Sequence, residues 1–154
     1  MTEIPQAQPK KKSRKKLYAV IAVILIIVII AVVAAAPKTY TETIMSSGTV
    51  KSLGAGQYIY AAFTVPSGDT ASVQGSYISS GNIEVAVMNA AEYSSFVNGS
   101  SSISNAIFYS GDNTGATISA SMGSGTYYIV IFDANIITPD TFTVVNSITV
   151  SITS

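Results

Sequence analysis

The sequence predicts an all-β domain that follows an N-terminal membrane helix. From about residue 44 onward, short segments of alternating apolar and polar residues are separated by Gly, Pro, Ser and Asn. Before them, residues 17–36 carry no charge and directly follow a basic run. The chain has no cysteine, so a packed core and not a disulfide framework must stabilise the domain. We therefore expect a jelly-roll-like antiparallel β-sandwich of seven or eight strands with one short helical turn.

The uncharged segment, LYAVIAVILIIVIIAVVAAA, has the length and composition of a transmembrane helix. Thirteen of its residues are Leu, Ile or Val, and each contributes roughly −0.3 to −0.6 kcal/mol to membrane insertion. A helix of this length extends about 30 Å, which matches the hydrocarbon core of a bilayer. Its β-branched residues favour strands in water, but lipid requires backbone hydrogen bonds within the segment. The sequence therefore predicts a membrane helix over 17–36.

The basic residues that precede the helix predict its orientation. Six of them lie before it and only Lys38 follows closely, which places the N-terminus in the cytoplasm and the domain outside. The six are Lys10, Lys11, Lys12, Arg14, Lys15 and Lys16. Setting topology is the preferred interpretation, and attachment to anionic lipid headgroups is the alternative. A basic run this short beside a membrane does not indicate nucleic-acid binding.

A cleaved secretory signal is the rival interpretation of the same stretch. The three alanines before Pro37 resemble a small-residue cleavage site. The apolar run is longer than an ordinary signal, however, and Pro37 would hinder cleavage directly before it. A retained helix makes the chain a single-pass protein of the plasma membrane, whereas cleavage would make it a secreted protein.

The chain divides into four predicted parts around the helix. Residues 1–16, with two prolines and no apolar periodicity, form a disordered cytoplasmic tail, and residues 37–43 form a short stalk before the domain at 44–154. Residues 37–154 carry two lysines and seven acidic residues, a net charge of +2 − 7 = −5. So few charges leave Ser, Thr, Asn, Gly and Tyr to cover the surface, as in many extracellular proteins.

The first half of the domain contains three predicted strands. Residues 59–65, 71–77 and 83–87 each place apolar side chains at alternate positions. Turns at 66–69 and 80–82 separate them, because Pro, Ser, Gly, Asp and Asn are the usual turn residues.

A short helix is expected next. Asn89 has the position of an N-cap and Glu92 stands three residues later, which is the spacing of a capping box. The helical turn should extend to Phe96 and place Tyr93 and Phe96 over one end of the sandwich.

Four more strands are predicted after the helix. They cover residues 106–109, 116–122, 126–132 and 142–152, with a loop at 134–140 before the last. The run TYYIVIF at 126–132 is apolar on both faces, which predicts a central strand covered on both sides.

The residue inventory argues against enzymatic chemistry. The chain has no His and no Cys, which removes the usual general bases, thiol nucleophiles and transition-metal ligands. Asp69, and Asp112 with Asn113, have oxygen atoms that suit calcium, but turn formation explains them better. We therefore predict no catalytic residue, no cofactor and no metal site. Asn98 begins an N-glycosylation sequon in a predicted outer loop.

Tyr58 and Tyr60 are the candidate binding residues. They alternate with Ile59 and Phe63, so we expect them on the exposed side of their strand. Exposed tyrosine pairs are favoured at binding surfaces. The alternative is a structural aromatic pair, or one covered by a neighbouring loop.

Two motifs carry a family resemblance. The first is a V-x-V-x-N element before an aromatic-containing turn, and the second is a Gly-x-Tyr-Tyr strand near the end of the domain. They correspond to Val85, Val87 and Asn89, and to Gly125, Tyr127 and Tyr128. Between Val73 and Ile152 the chain resembles the Golgi-dynamics (GOLD) β-sandwich and the small membrane-anchored archaeal and bacterial proteins that carry it. The resemblance implies a non-catalytic domain for protein or lipid contact on the non-cytoplasmic side. Trafficking members differ in having a C-terminal membrane helix and usually a cysteine pair, so cargo trafficking is not implied.

Together these features predict a membrane-anchored, non-catalytic extracytoplasmic module that binds a protein or another envelope component. The alternative is a structural subunit of a surface layer or filament. In that case edge strands, or the strand at 142–152, would pair between copies.

Overall fold

The computed structural model of the protein describes residues 37–99, 106–135 and 137–154. The predicted tail at 1–16 and membrane helix at 17–36 lie outside these residues, as do the six basic residues that predict topology. Within the described ranges, no helix has the length and apolarity that crossing a membrane requires.

Eight strands and one helix make up the described chain, which confirms the all-β class and the strand number. The strands are β1 (Thr39–Met45), β2 (Val50–Leu53), β3 (Tyr58–Val65), β4 (Thr70–Asn89), β5 (Phe108–Tyr109), β6 (Asn113–Met122), β7 (Gly125–Asp133) and β8 (Asp140–Thr153). Helix α1 (Ala90–Val97) connects β4 to β5. Every strand pair is antiparallel, as predicted.

Strand β4 is the centre of the sheet and belongs to both of its halves. Residues 71–78 pair with β6 on one side, and residues 70–79 pair with β8 on the other. Residues 83–89 pair with β7, and β5 pairs with Ala86 and Val87. The outer neighbours are β1 and β2 beside β8, and β3 beside β7. The inward side chains of both halves form one apolar core, and the described residues from Lys38 onward form one compact unit.

The turn predicted at 80–82 is wrong, because β4 continues through it as one strand of 20 residues. The strand bends there, with a register shift between Ile78 and Ile83. The Ser79 hydroxyl donates a hydrogen bond to Gly81 O (2.6 Å), and the Thr141 N–H donates one to Ser80 Oγ (2.9 Å). These serine hydroxyls bond to backbone groups at the bend, so β4 continues past it instead of reversing in a turn. Sharing β4 between halves also differs from the two separate sheets of a jelly roll.

The predicted stalk at 37–43 is mostly strand. β1 pairs with β8 from Thr39, opposite Thr153, to Met45, opposite Ile148. Side-chain hydroxyls also meet across this pair, for example Thr39 and Thr153 at 3.1 Å. The sequence did not reveal β1 because its first five residues are exposed, which leaves no apolar alternation there.

The core confirms the inward positions predicted for the main strands. Val73 is fully buried, and Ile118 is 1 % exposed. Tyr77 and Phe142 stack with ring centroids 5.0 Å apart, and the Tyr77 hydroxyl donates a hydrogen bond to Ile83 O at 2.8 Å. β7 lies between β3 and β4, which confirms the central strand predicted at 126–132.

Candidate functional site

Six aromatic side chains gather beside α1, on the face of β3 and β7 directed away from the main core. They are Tyr58, Tyr60, Tyr93, Phe96, Tyr128 and Phe132, and we call them the aromatic patch. The register of β3 with β7 brings four of these rings together. Tyr58 is opposite Phe132, and Tyr60 is opposite Val130, which is two residues from Tyr128. Alternation along each strand then directs these rings to the same face.

Helix α1 contributes the other two rings, and a confirmed capping box fixes its start. Asn89 Oδ1 accepts hydrogen bonds from the N–H groups of Ala91 (2.9 Å) and Glu92 (3.0 Å). Glu92 Oε2 accepts one in return from the Asn89 N–H (2.8 Å). The helix continues for eight residues, about two turns, instead of the single turn predicted. Its Tyr93 and Phe96 side chains contact rings of β3 and β7, so the helix lies over this part of the sheet.

The rings of the aromatic patch contact one another closely. Tyr93 stacks on Tyr128 with centroids 4.0 Å apart and planes 5° from parallel. Phe96 meets Tyr58 edge-on at 5.1 Å and Phe132 edge-on at 5.9 Å. Edge-to-face and offset-stacked pairs of this kind add about 0.5–1.5 kcal/mol each beyond area burial. A small apolar cluster of Ala86, Met88 and Val130 lies buried with Tyr93, Phe96 and Tyr128 packed against it.

The two candidate residues combine exposure with these contacts. Tyr60 is 56 % exposed and Tyr58 is 37 % exposed, so the predicted exposure is confirmed. The structural interpretation is also supported, because Tyr60 lies 5.2 Å from the Tyr93 ring and 6.1 Å from the Tyr128 ring. Their role in binding stays a prediction.

Tyr58 and Tyr60 also influence the ionisation of Tyr93 in the aromatic patch. Burial, followed by hydrogen bonding and electrostatic interaction with Tyr58 and then Tyr60, raises the pKa of Tyr93 to about 12. The Tyr93 phenol therefore stays neutral at physiological pH. The aromatic patch thus offers ring faces together with uncharged hydrogen-bonding groups on one surface.

Sequence reasoning missed Tyr128 and Phe132 as members of this site. It treated 126–132 as a uniformly buried strand, although both rings are only partly buried. The available signal was the alternation of Tyr128, Val130 and Phe132, which shares a face with the neighbouring tyrosines of β3.

The other candidate residues do not belong to the aromatic patch, and Asn98 follows Phe96 by two residues at the end of α1. Asp69 lies in the turn before β4, where its N–H donates to Pro66 O at 3.2 Å. Asp112 is exposed, and Asn98 is exposed as the C-cap of α1. Among the residues that the structure describes, no three His, Cys, Asp or Glu side chains are grouped as metal ligands.

Tyr109 and Glu84 form a second, smaller polar contact that has a measurable titration. The Tyr109 hydroxyl donates a hydrogen bond to Glu84 Oε1 at 2.8 Å. Burial first, and then this bond and the Glu84 charge, raise the pKa of Tyr109 to about 12.

We expect the Tyr109–Glu84 contact to stabilise the fold below about pH 10 and to lose that effect between about pH 10 and 12, since the folded-state pKa lies above the ordinary value of 10.0. Tyrosinate absorbance of the full chain should show one tyrosine ionising earlier in Glu84→Gln. Glu42→Gln, an exposed glutamate on β1, is the control and should leave the titration unchanged. An unaltered curve in Glu84→Gln would contradict the assignment.

The opposite half of the sheet has an uncharged outer surface of a different kind. Ser, Thr and Gln side chains occupy successive positions across β1, β8, β4 and β6, a surface that we call the hydroxyl face. It comprises Thr39, Thr41, Thr43, Ser72, Gln74, Ser76, Thr117, Ser119, Ser121, Thr149, Ser151 and Thr153. Thr41 and Ser151 hydroxyls lie 2.8 Å apart across two of these strands. Shallow grooves in it are lined by hydroxyl and amide groups.

The fold and the aromatic patch define a small antiparallel β-sandwich with an aromatic outer surface. Comparisons with known proteins assign it to no family. No family model and no curated protein matches the chain, so the GOLD resemblance gains no support from them. Among solved structures, it is similar to PliG of Aeromonas hydrophila, a periplasmic lysozyme inhibitor of g-type lysozyme. The identity is 18 %, with 70 % of this chain and 86 % of PliG covered and a TM-score of 0.38.

Two further structures show comparable likeness. The pre-peptidase C-terminal domain of collagenase from Bacillus anthracis is 10 % identical, with 70 % of this chain and 89 % of that domain covered and a TM-score of 0.36. The VP2 subviral particle of infectious bursal disease virus is 10 % identical, with 77 % of this chain but 33 % of VP2 covered and a TM-score of 0.44. These likenesses are remote and transfer no function.

Proposed function

We propose that this protein is a single-pass membrane-anchored, non-catalytic module that displays its β-sandwich on the extracytoplasmic side. Its aromatic patch binds a protein or another component of the cell envelope. The observation that carries the proposal is the exposure of Tyr58 and Tyr60 above rings that α1 holds in place. The anchor itself rests on the sequence of residues 17–36.

Physical chemistry favours the aromatic patch over the rest of the described surface as a binding site. Tyrosine side chains offer large contact area with few rotatable bonds, so fixing them costs little entropy. Contacts with Phe96 and Tyr93 already restrict Tyr58 and Tyr60, which lowers that cost further. Ring faces beside neutral hydroxyls suit a partner surface that is apolar at its centre and polar at its rim.

A relationship to GOLD domains is part of the proposal. The two sequence motifs support it, and they lie on neighbouring strands, since Val85 on β4 pairs with Ile131 on β7. The non-catalytic role implied by that resemblance agrees with a chain that has no His and no Cys. No trafficking role is proposed.

Photo-crosslinking in native membranes tests the binding role. A photoreactive phenylalanine analogue at position 60 should give a discrete adduct, whereas the same analogue at position 40 should not. Tyr40 is the matched control because it is an exposed tyrosine, 64 % accessible, on another edge strand. An excess of purified unlabelled chain should compete for the adduct at position 60. The Tyr58→Ser/Tyr60→Ser double variant should compete at least about tenfold less well, as expected when hot-spot aromatics are removed.

The competing chains also need a folding control. Tyr40→Ser should compete as the unsubstituted chain does. The double variant should remain folded at the temperature of the assay, although it loses ring contacts with Phe96, Tyr93 and Tyr128 and therefore unfolds at a lower temperature. Equal competition by the folded double variant would argue that the pair is structural. The same membranes report the anchor, because a retained helix leaves the full-length mass in the pellet. A soluble chain that starts near residue 35 would show a cleaved signal.

The alternative function, a subunit of a surface layer or filament, is favoured by one observation. β6 pairs with β4 on one side and has no strand on its other side among the described residues. It contains ten residues without a charge, whereas edge strands usually carry charges that prevent pairing with another chain. The strand at 142–152 does not suit this role, because β8 is paired on both sides. Self-association of the purified chain at low concentration would favour this alternative.

A further inference from the structure

Two buried aspartates lie where β4 bends and β8 begins. Asp133, the last residue of β7, is 0 % exposed, and Asp140, the first residue of β8, is 7 % exposed. A carboxylate removed from water is costly unless hydrogen bonds or an opposite charge compensate it. Both side chains therefore require compensation from their surroundings.

Backbone N–H groups compensate the buried carboxylate of Asp133. Its Oδ1 accepts a hydrogen bond from the Asn135 N–H at 2.9 Å, and its Oδ2 accepts one from the Asp140 N–H at 3.0 Å. The second bond fixes Asp140 directly beside this carboxylate. Neither hydrogen-bond donor to Asp133 is a basic side chain.

Only one of the two carboxylate oxygens of Asp140 has a hydrogen-bond partner among the described residues. Its Oδ1 accepts a hydrogen bond from Ser80 Oγ at 3.2 Å, but its Oδ2 has no partner within the described part of the chain. Lys38 and Lys51 are the only basic residues between 37 and 154. Lys51 is exposed on β2, where it pairs with Phe142. A buried carboxylate oxygen is left free at this place.

The bend of β4 makes room for this carboxylate. A Cβ at position 81 would overlap both side-chain oxygens of Asp140, so glycine is the residue that allows the approach. The Ser80 hydroxyl and the Gly81 carbonyl lie on the same bend and supply neutral oxygen atoms. Carboxylate, hydroxyl and carbonyl oxygens are the ligands that Ca²⁺ prefers.

We infer that Asp140, Asp133 and Ser80 form a binding site for a hard divalent cation of the Ca²⁺ type, with Asp140 Oδ2 as its anchoring ligand. The charge of two carboxylates matches that of the cation, which explains two buried acids without a lysine or arginine partner. The inference is independent of the aromatic patch. The sequence predicted no metal site because Asp133 and Asp140 belong to no recognised calcium motif, and the site includes a residue from the distant β4 bend.

Calcium binding to the full chain in detergent micelles tests this inference. After removal of metal with a chelator, Ca²⁺ at saturation should raise the thermal unfolding midpoint by about 5 °C or more, since a ligand of the folded state stabilises it. Asp140→Asn should remove this shift. Asp112→Asn, which makes the same charge change at an exposed turn position, should retain it.

A second measurement covers the case in which Asp140→Asn does not fold. Tb³⁺, a luminescent substitute for Ca²⁺, should bind the unsubstituted chain saturably, and Ca²⁺ should displace it. No stabilisation by Ca²⁺ together with no saturable Tb³⁺ emission would overturn the inference. An unchanged calcium shift in a folded Asp140→Asn variant would also overturn it.

Discussion

Replacing Phe142 by Ala should destabilise the domain by about 3–5 kcal/mol, the usual cost of removing a buried phenylalanine. Phe142 is 0 % exposed and stacks on Tyr77, which is itself buried. Both residues lie where β4 and β8 run side by side, so neighbouring strands cannot collapse into the space left behind. Urea unfolding of the full chain in mild detergent, followed by circular dichroism, measures the change.

The matched control for this change is Ile137→Ala. Ile137 is a large apolar residue that is 82 % exposed, so its truncation should alter stability by less than about 0.5 kcal/mol. A loss of under about 1 kcal/mol in Phe142→Ala would mean that the ring is not part of a close-packed core.

Gly75→Ala should cost about 1–3 kcal/mol, although it adds a single methyl group. A Cβ at this position would lie 2.9 Å from both Cα and Cγ1 of Ile148 and 3.2 Å from Ser147 O. Ile148 is fully buried and its backbone pairs with β1, so it cannot move aside. The added methyl should therefore force β4 and β8 apart, which the same urea experiment detects.

Gly123→Ala controls for the general effect of replacing glycine. A Cβ at position 123 would meet nothing within 4 Å. This variant should be neutral, or more stable by up to about 1 kcal/mol, because alanine reduces the entropy of the unfolded chain. Equal stability of the Gly75 and Gly123 variants would contradict the close approach of β4 to β8.

Alternation of apolar residues predicted most of the strands, because each of those strands buries one face. The pattern at 116–122 placed Ile118 and Met122 inward, and both are buried in β6. The pattern failed at β1, where exposure on both faces leaves nothing to alternate, and at the β4 bend, where turn residues occur inside a strand. Pairing with distant strands decided both cases, because β1 pairs with β8, and β4 pairs with β8 before the bend and with β7 after it. Such pairing is not visible in a local sequence window.

The candidate site was predictable only in part, for a similar reason. Exposure of Tyr58 and Tyr60 followed from their position opposite Ile59 and Phe63 on one strand. Their contacts with Tyr93 and Tyr128 depend on where α1 lies on the sheet and on the register of β3 with β7. Neither is encoded by the spacing of residues along one element. The Asp133–Asp140 pair depends on the β4 bend in the same way.

The position of β8 also determines when this domain can fold. β8 pairs with β1, β2 and β4, and Thr39 bonds to Thr153 across a separation of 114 residues. Contacts between such distant residues form slowly, because a long loop must close first. A growing chain therefore exposes the open edges of β1 and β4 until residues 140–153 have been synthesised. Chaperone protection in that interval would matter more for this domain than for one whose strands pair with their neighbours in sequence.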